Sequence, residues 1–180
     1  MLTAAAYDIH LEQLLANLRR FHSALSAAGI PYRIIGGMAA FIHVFDRDPI
    51  KARLTSDVDA AVDRADLPRI IAAAEGAGFC FRHAAGIDML ITEQKPRAQS
   101  AVHLIFVAEK VHTASEPVAT KEGILIAPVA DLVRMKLTSF RLKDKVHIQD
   151  LDSVGLVTPE IESNLSEPLR LRLQEVRATE

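Results

Sequence analysis

The sequence predicts an α+β fold. Short apolar stretches with a two-residue period alternate with stretches of helical period up to residue 127. From Pro128 onward only helical patterns remain. The chain has 180 residues, 49% hydrophobic and 24% charged, which suffices for a substantial core. The expected division is a core of residues 1–127, an N-terminal helix plus a sheet, with a C-terminal helical annex over 128–180.

Taken in order, Leu11, Leu14, Leu15, Leu18, Phe21 and Leu25 recur at helical spacing. Gly29 and Pro31 stop that helix. Tyr32–Ile35 reads as the first strand and Met38–Phe45 as a short helix. Residues 46–56 are polar around Pro49 and read as a loop. Its Arg47, Lys51 and Arg53 fit either a basic flap over a bound anion or ordinary loop charge. Asp57–Val62 is the second strand. Asp66 suits the N-cap of a helix over Leu67–Gly76, with Pro68 in its first turn. Phe79–His83 and Ile87–Thr92 read as a hairpin turning at Ala85-Gly86. A polar turn is expected at 93–99, a strand at Ala101–Val107, irregular chain at 109–122 and a short apolar piece at Gly123–Ala127. Helices follow at Pro128–Leu142 and Lys145–Ser153, then a helical tail over Pro159–Val176, broken at Pro168.

Composition excludes several classes. A net charge of −2 argues against a strongly basic nucleic-acid scaffold. Cys80 is the only cysteine, so no internal disulfide forms, and its GFCF setting reads as core. No apolar run reaches the ~18 residues of a membrane span, and the N-terminus lacks a signal pattern. A cytoplasmic protein without a membrane partner is expected. No zinc pattern, nucleophile elbow or G-x-G-x-x-G fingerprint is present.

The informative stretch runs from Ile34 to Val62. Asp57 and Asp59 lie two residues apart in a strand, so both face one side while Val58, Ala60 and Val62 face the core. Two adjacent carboxylates repel, and a divalent cation with oxygen preference, Mg²⁺ or Mn²⁺, removes the conflict. Gly36-Gly37 allows backbone to approach a bulky anion, and the helix expected from Met38 aims its free N–H groups there. Ser56, like Thr55, precedes the Asp pair and can bond a phosphate or cap the strand. Together these features describe a site for a metal–nucleoside triphosphate. A second signal is Lys136. On a helical wheel it falls about 20° from Val129, within an apolar stripe, where a lysine either snorkels or meets an anion in a cleft.

Ile35-Gly36-Gly37 followed by Asp57-Val58-Asp59 resembles the signature of the nucleotidyltransferase superfamily, the polymerase-beta-like fold. Asp131–Leu156 resembles the Lys-containing helix and following Asp-rich helix of the small AbiEii/AbiGii-toxin-like subgroup. The resemblance implies a mixed β-sheet flanked by helices. It implies transfer of a nucleoside monophosphate from an NTP to a hydroxyl of RNA such as a tRNA end, a protein or a small molecule. Asp57 and Asp59 would hold the metal. Gly36, Gly37, the amide of Met38, Ser56 and Lys136 would bind the nucleotide's phosphates. Lys136→Ala is then expected to weaken triphosphate binding with little loss of stability. A toxin–antitoxin partner or a homo-oligomer is a further implication.

The family places a third carboxylate on a neighbouring strand, and here His103 stands at that position. Strand parity puts it on the face of Asp57 and Asp59 if the strands are neighbours. Three roles stay open: a third metal ligand favouring Mn²⁺, a general base for the acceptor hydroxyl, or the mark of a site that has lost turnover. A nucleotide-binding regulator and a partner-binding protein are therefore the alternatives to an enzyme. Asp88, His43, His83, Asp144, Asp150 and Asp152 are expected to be structural.

Overall fold

The first helix, α1 (Ala4–Ala27), buries Leu14, Leu18, Phe21 and Leu25, the stripe its spacing dictates. This computed structural model describes residues 4–92, 101–108 and 115–179. The turn expected at 93–99 lies outside them, as does most of the irregular stretch before Ser115. Gly29, with φ +60°, ends α1, and the chain enters β1 (Arg33–Ile35). The next helix, α2, spans Gly36–Arg47 and so begins two residues before the expected Met38. The glycine pair is its first turn rather than a loop ahead of it.

After α2 come β2 (Val58–Val62), a 3₁₀ turn (Arg64–Asp66) and α3 (Leu67–Gly76). Asp66 sits at the expected N-cap position but makes no capping bond; it pairs with Arg69 at 2.6 Å. The 3₁₀ turn moves the capping task upstream, where Asp63 accepts from the Ala65 amide at 2.8 Å. The hairpin β3 (Phe79–Ala84) and β4 (Ile87–Thr92) turns at Ala85 and Gly86, both with positive φ, as a two-residue hairpin requires. Then follow β5 (Val102–Phe106), β6 (Val118–Ala119) and β7 (Leu125–Ile126).

Among the described residues, seven strands form one mixed sheet in the order β3-β4-β5-β2-β1-β7-β6. β2 runs parallel to β5, β1 runs parallel to β7, and the other pairs are antiparallel. α1 and α3 pack together, with β3 and β5 beside them, while α2 lies on β1 and β2 and meets the C-terminal helices. Those are α4 (Val129–Ser139), α5 (Leu142–Ser153), α6 (Pro159–Ser163) and α7 (Glu167–Arg177). The expected single helix to Leu142 ends at Ser139, because Phe140 takes a left-handed φ of 51°. Pro168 does not break the tail. It occupies the first turn of α7, where its missing N–H costs nothing, and the break falls just before it.

Two apolar clusters result. One joins α1, the sheet, α3 and the start of α2. The other gathers Val133, Leu137, Ile148, Leu151, Leu165 and Leu173, with Val44 of α2 reaching into it. α2 thus belongs to both.

Candidate active site

Sheet register assembles the site. Asp59 lies opposite Ile35 on one side and opposite His103 on the other. Ile35 precedes α2, so the same pairing sets Asp59 against the helix start. Along β2 and β5, Val58, Ala60, Val102, Leu104 and Phe106 are buried, while Asp59 and His103 emerge half-buried on the opposite face. Asp57, one residue before β2, joins them. His103 Nδ1 is 3.3 Å from Asp59 Oδ1 and 3.8 Å from Asp57 Oδ2. One donor atom from each of the three lies within 4.8 Å of the others. Thr55 Oγ1–H donates to Asp57 Oδ1 at 3.3 Å and steadies that carboxylate.

The glycines are required by contact. Gly36 has φ +68°, and a Cβ there would stand 2.3 Å from Asp59 Oδ2. A Cβ on Gly37 would stand 2.4 Å from Thr55 Oγ1 and 3.4 Å from His147 Cε1. The first turn of α2 is therefore pressed against the acid pair, and Ile35 provides no side-chain cap for its amides. The positive end of the helix dipole faces the carboxylates. The Met38 side chain is buried, so only its backbone can serve a ligand, and Ser56 is exposed.

Lys136 departs from expectation. It lies in the last turn of α4, within the apolar stripe as read, but only 5% of it is exposed. Its Nζ sits 2.8 Å from His147 Nδ1 and 3.7 Å from Asp144 Oδ1. Besides Thr55, the side chain that comes up to Gly37 is His147, which no sequence pattern singled out: it lies on α5, where spacing shows only a helix. Burial, partly offset by Asp144, lowers Lys136 to about 8. Burial and the nearby ammonium lower His147 to about 4. For Asp144, burial acts upward, but bonds from Arg141 and Ser139 outweigh it and hold the acid below its usual range.

The remaining candidates stand apart. Lys51 Nζ donates to the Ser153 carbonyl at 3.0 Å, and Arg53 pairs with Asp150 at 2.9 Å, so both pin the 48–57 loop to α5. That favours ordinary loop charge over a basic flap. His83 pairs with Asp88 at 2.5 Å, and Asp88 lies opposite Leu104, in register with the core-facing positions of β5. His43 Nε2–H donates to the Ala127 carbonyl at 2.8 Å, and Asp152 binds Arg177 at 2.7 Å.

No family model matches the sequence, and no curated protein matches it. Solved structures do. An antigenic nucleotidyltransferase-like protein from Paracoccidioides brasiliensis superposes with a TM-score of 0.60 at 19% identity, covering 93% of this chain and 88% of that one. The Megavirus polyadenylate synthase gives 0.58 at 12% identity, over 86% of this chain and 36% of the viral enzyme. ANT(2'')-Ia in complex with adenylyl-2''-tobramycin gives 0.54 at 11% identity, over 93% and 98%. The fold is that of the nucleotidyltransferases. At these identities the likeness speaks for the fold. Within that fold, the Asp57–Asp59–His103 cluster and the α2 start form the candidate site of this chain.

His147 carries a stability signature. Its pKa is depressed in the folded chain, so between its ordinary value near 6.5 and about 4 the unfolded chain binds the proton and the native chain does not. Stability present above that window is lost as pH falls through it. In urea titrations from pH 7 to 4, His147→Gln should show a shallower acid loss than the wild type; equal slopes would remove His147 as the cause.

Proposed function

We propose that this chain is a divalent-metal-dependent nucleotidyltransferase, moving a nucleoside monophosphate from an NTP to a hydroxyl acceptor. The observation that carries the reading is the convergence of Asp57, Asp59 and His103 within 4.8 Å beside a helix start stripped of side chains at Gly36 and Gly37. Two hard carboxylate oxygens and one imidazole fit a divalent cation, and the imidazole favours Mn²⁺ over Mg²⁺. Bound there, such an ion supplies charge neutralisation at the triphosphate. The chain's own part is binding and orientation. Asp57 and Asp59 hold the cation side, with Asp57 steadied by Thr55. The Gly37 and Met38 amides receive phosphate oxygens at the positive end of α2. His103 serves as third ligand, its Nδ1 being aimed at both carboxylates.

The finer reading is a member of the toxin-like subgroup, with residues 1–127 as core and 128–180 as annex. It is supported by the placement of Lys136 on α4 beside the acid-rich α5. Its acceptor is a hydroxyl of RNA, a protein or a small molecule, and its partner an antitoxin or a second copy of this chain. Incubation with each α-labelled NTP, Mn²⁺ and these three acceptor classes is the direct test. Label appearing in none of them, with NTP binding intact, would favour the second reading, a binding protein in which His103 marks lost turnover.

His103→Asp separates the roles of that residue. As a ligand replaced by a hard oxygen, it should raise Mg²⁺ affinity and shift preference away from Mn²⁺ in paired calorimetric titrations. An unchanged Mg²⁺-to-Mn²⁺ ratio would mean the imidazole does not touch the ion.

A further inference from the structure

We propose that His147 is the side chain that grips the terminal phosphates of the triphosphate, and that Lys136 acts through it as a positioning residue. The inference rests on the nucleotidyltransferase reading and assigns this part of the site to α5.

Lys136 is committed to partners inside the protein. Its ammonium is enclosed between Asp144 and His147, and its stem lies in the packed interior of α4 and α5. An ammonium has donors only, so at neutral pH it donates to His147 Nδ1. Nδ1 is then the acceptor, and the ring proton sits on Nε2. The tautomer and the orientation of the ring are both set by the lysine. Cε1, the carbon between Nδ1 and Nε2, faces Gly37, 3.4 Å from where a Cβ would be. Thr55 Oγ1 lies 2.4 Å from the same Cβ position, so only glycine lets the imidazole and the Thr55 hydroxyl both close on the first turn of α2. An anion on those amides therefore meets an N–H donor from the other side.

Two physical points strengthen the geometry. A hydrogen bond from a cation into Nδ1 polarises the ring and makes Nε2–H a better donor. The ring also stays neutral at physiological pH, so His147 keeps the single tautomer this chain of bonds needs. Lys136 thus delivers its positive character to the phosphate through the imidazole. Arg141 at the N-cap of α5 and Lys143 in its first turn add positive charge around the same pair.

The experiment measures tripolyphosphate, ATP, CTP, GTP, UTP and AMP binding by calorimetry in Mg²⁺ buffer, for wild type, His147→Phe and His147→Gln. Phe keeps the ring and removes the donor; Gln retains a donor near the Nε2 position. His147→Phe should weaken tripolyphosphate and the NTP that binds by about tenfold, the effect of one bond to a charged group. AMP affinity should not change, and His147→Gln should recover most of the loss. The histidine ¹⁵N spectrum of the wild type gives an independent readout. Nε2 should carry the proton and should move when tripolyphosphate is added.

Wild-type tripolyphosphate affinity in folded His147→Phe overturns the proposal. If that variant does not fold, an Nε2 resonance unmoved at saturation overturns it instead. A wild type that binds no NTP and no tripolyphosphate removes the nucleotidyltransferase reading itself. That result differs from NTP binding that is indifferent to His147, which removes only this assignment.

Discussion

Asp59→Asn should reduce nucleotide transfer by on the order of 10³-fold or more while leaving the fold intact. Asp59 is the hub of the site. Register places it between Ile35 and His103, its Oδ2 fills the space in front of Gly36, and its Oδ1 reaches His103. Asparagine keeps that shape and removes the charge. The site then lacks half of its anionic ligand set, and the first turn of α2 loses the carboxylate at its positive end. Stability should change by less than about 1 kcal/mol, because Asp59 is half-buried and relief of repulsion from Asp57 offsets the lost helix-dipole interaction. Ligand linkage gives a second readout. Mn²⁺ should raise the melting temperature of the wild type and have little effect on Asp59→Asn. Transfer at the wild-type rate in that variant would sink the metal-site reading whatever the stability showed.

How much of this was legible in the sequence follows from the range of the interactions involved. The acid pair was legible because strand parity is local: residues two apart share a face, and the apolar residues between them name the other face. The position of His103 needed one further assumption, that β5 neighbours β2, and the register Asp59 to His103 supplies it. α4 and the helical tail were legible from their apolar spacing. What failed was decided by contacts across long separations. The start of α2 at Gly36 could not be read, since glycines score as loop unless their contacts with Asp59, Thr55 and His147 are known. Lys136 was read as pointing into a cleft because an apolar stripe does not say which face of a second helix covers it. α5 covers it with Asp144 and His147, eight and eleven residues downstream. His147 carried no signal of its own, since a histidine in an amphipathic helix looks solvated until its partner is placed.

Lys136→Met should make the protein more stable while weakening triphosphate binding. The premise of the sequence reading, that the lysine fills no packed site, does not hold, since the lysine lies beneath α5. The sign of the effect comes from its pKa. A value lowered to about 8 means that burial penalises the ammonium more than Asp144 supports it. Methionine fills a similar volume without that penalty. Asp144 would not be orphaned, because it keeps Ser139 Oγ at 2.7 Å, Arg141 Nε at 2.8 Å and the Arg141 amide at 3.2 Å. Replacing a buried charge under such conditions stabilises by about 2 kcal/mol, or roughly 4–8 °C in melting temperature for a chain of this size. Lys136→Ala, by contrast, leaves a cavity that cancels the gain. The pH dependence is a sharper check. Between about 8 and 10.5 the unfolded chain holds the lysine proton and the native chain does not, so the wild type gains stability as pH rises through that window. The advantage of Lys136→Met should be complete below pH 8 and shrink steadily above it. With Nδ1 deprived of its donor, His147 is free to change tautomer, and tripolyphosphate affinity should fall as it does in His147→Phe. A variant that is less stable at pH 7, with unchanged phosphate affinity, would show that the lysine is kept for packing and pairing. A gain in stability together with a loss of binding is the result expected of a buried cation retained for function.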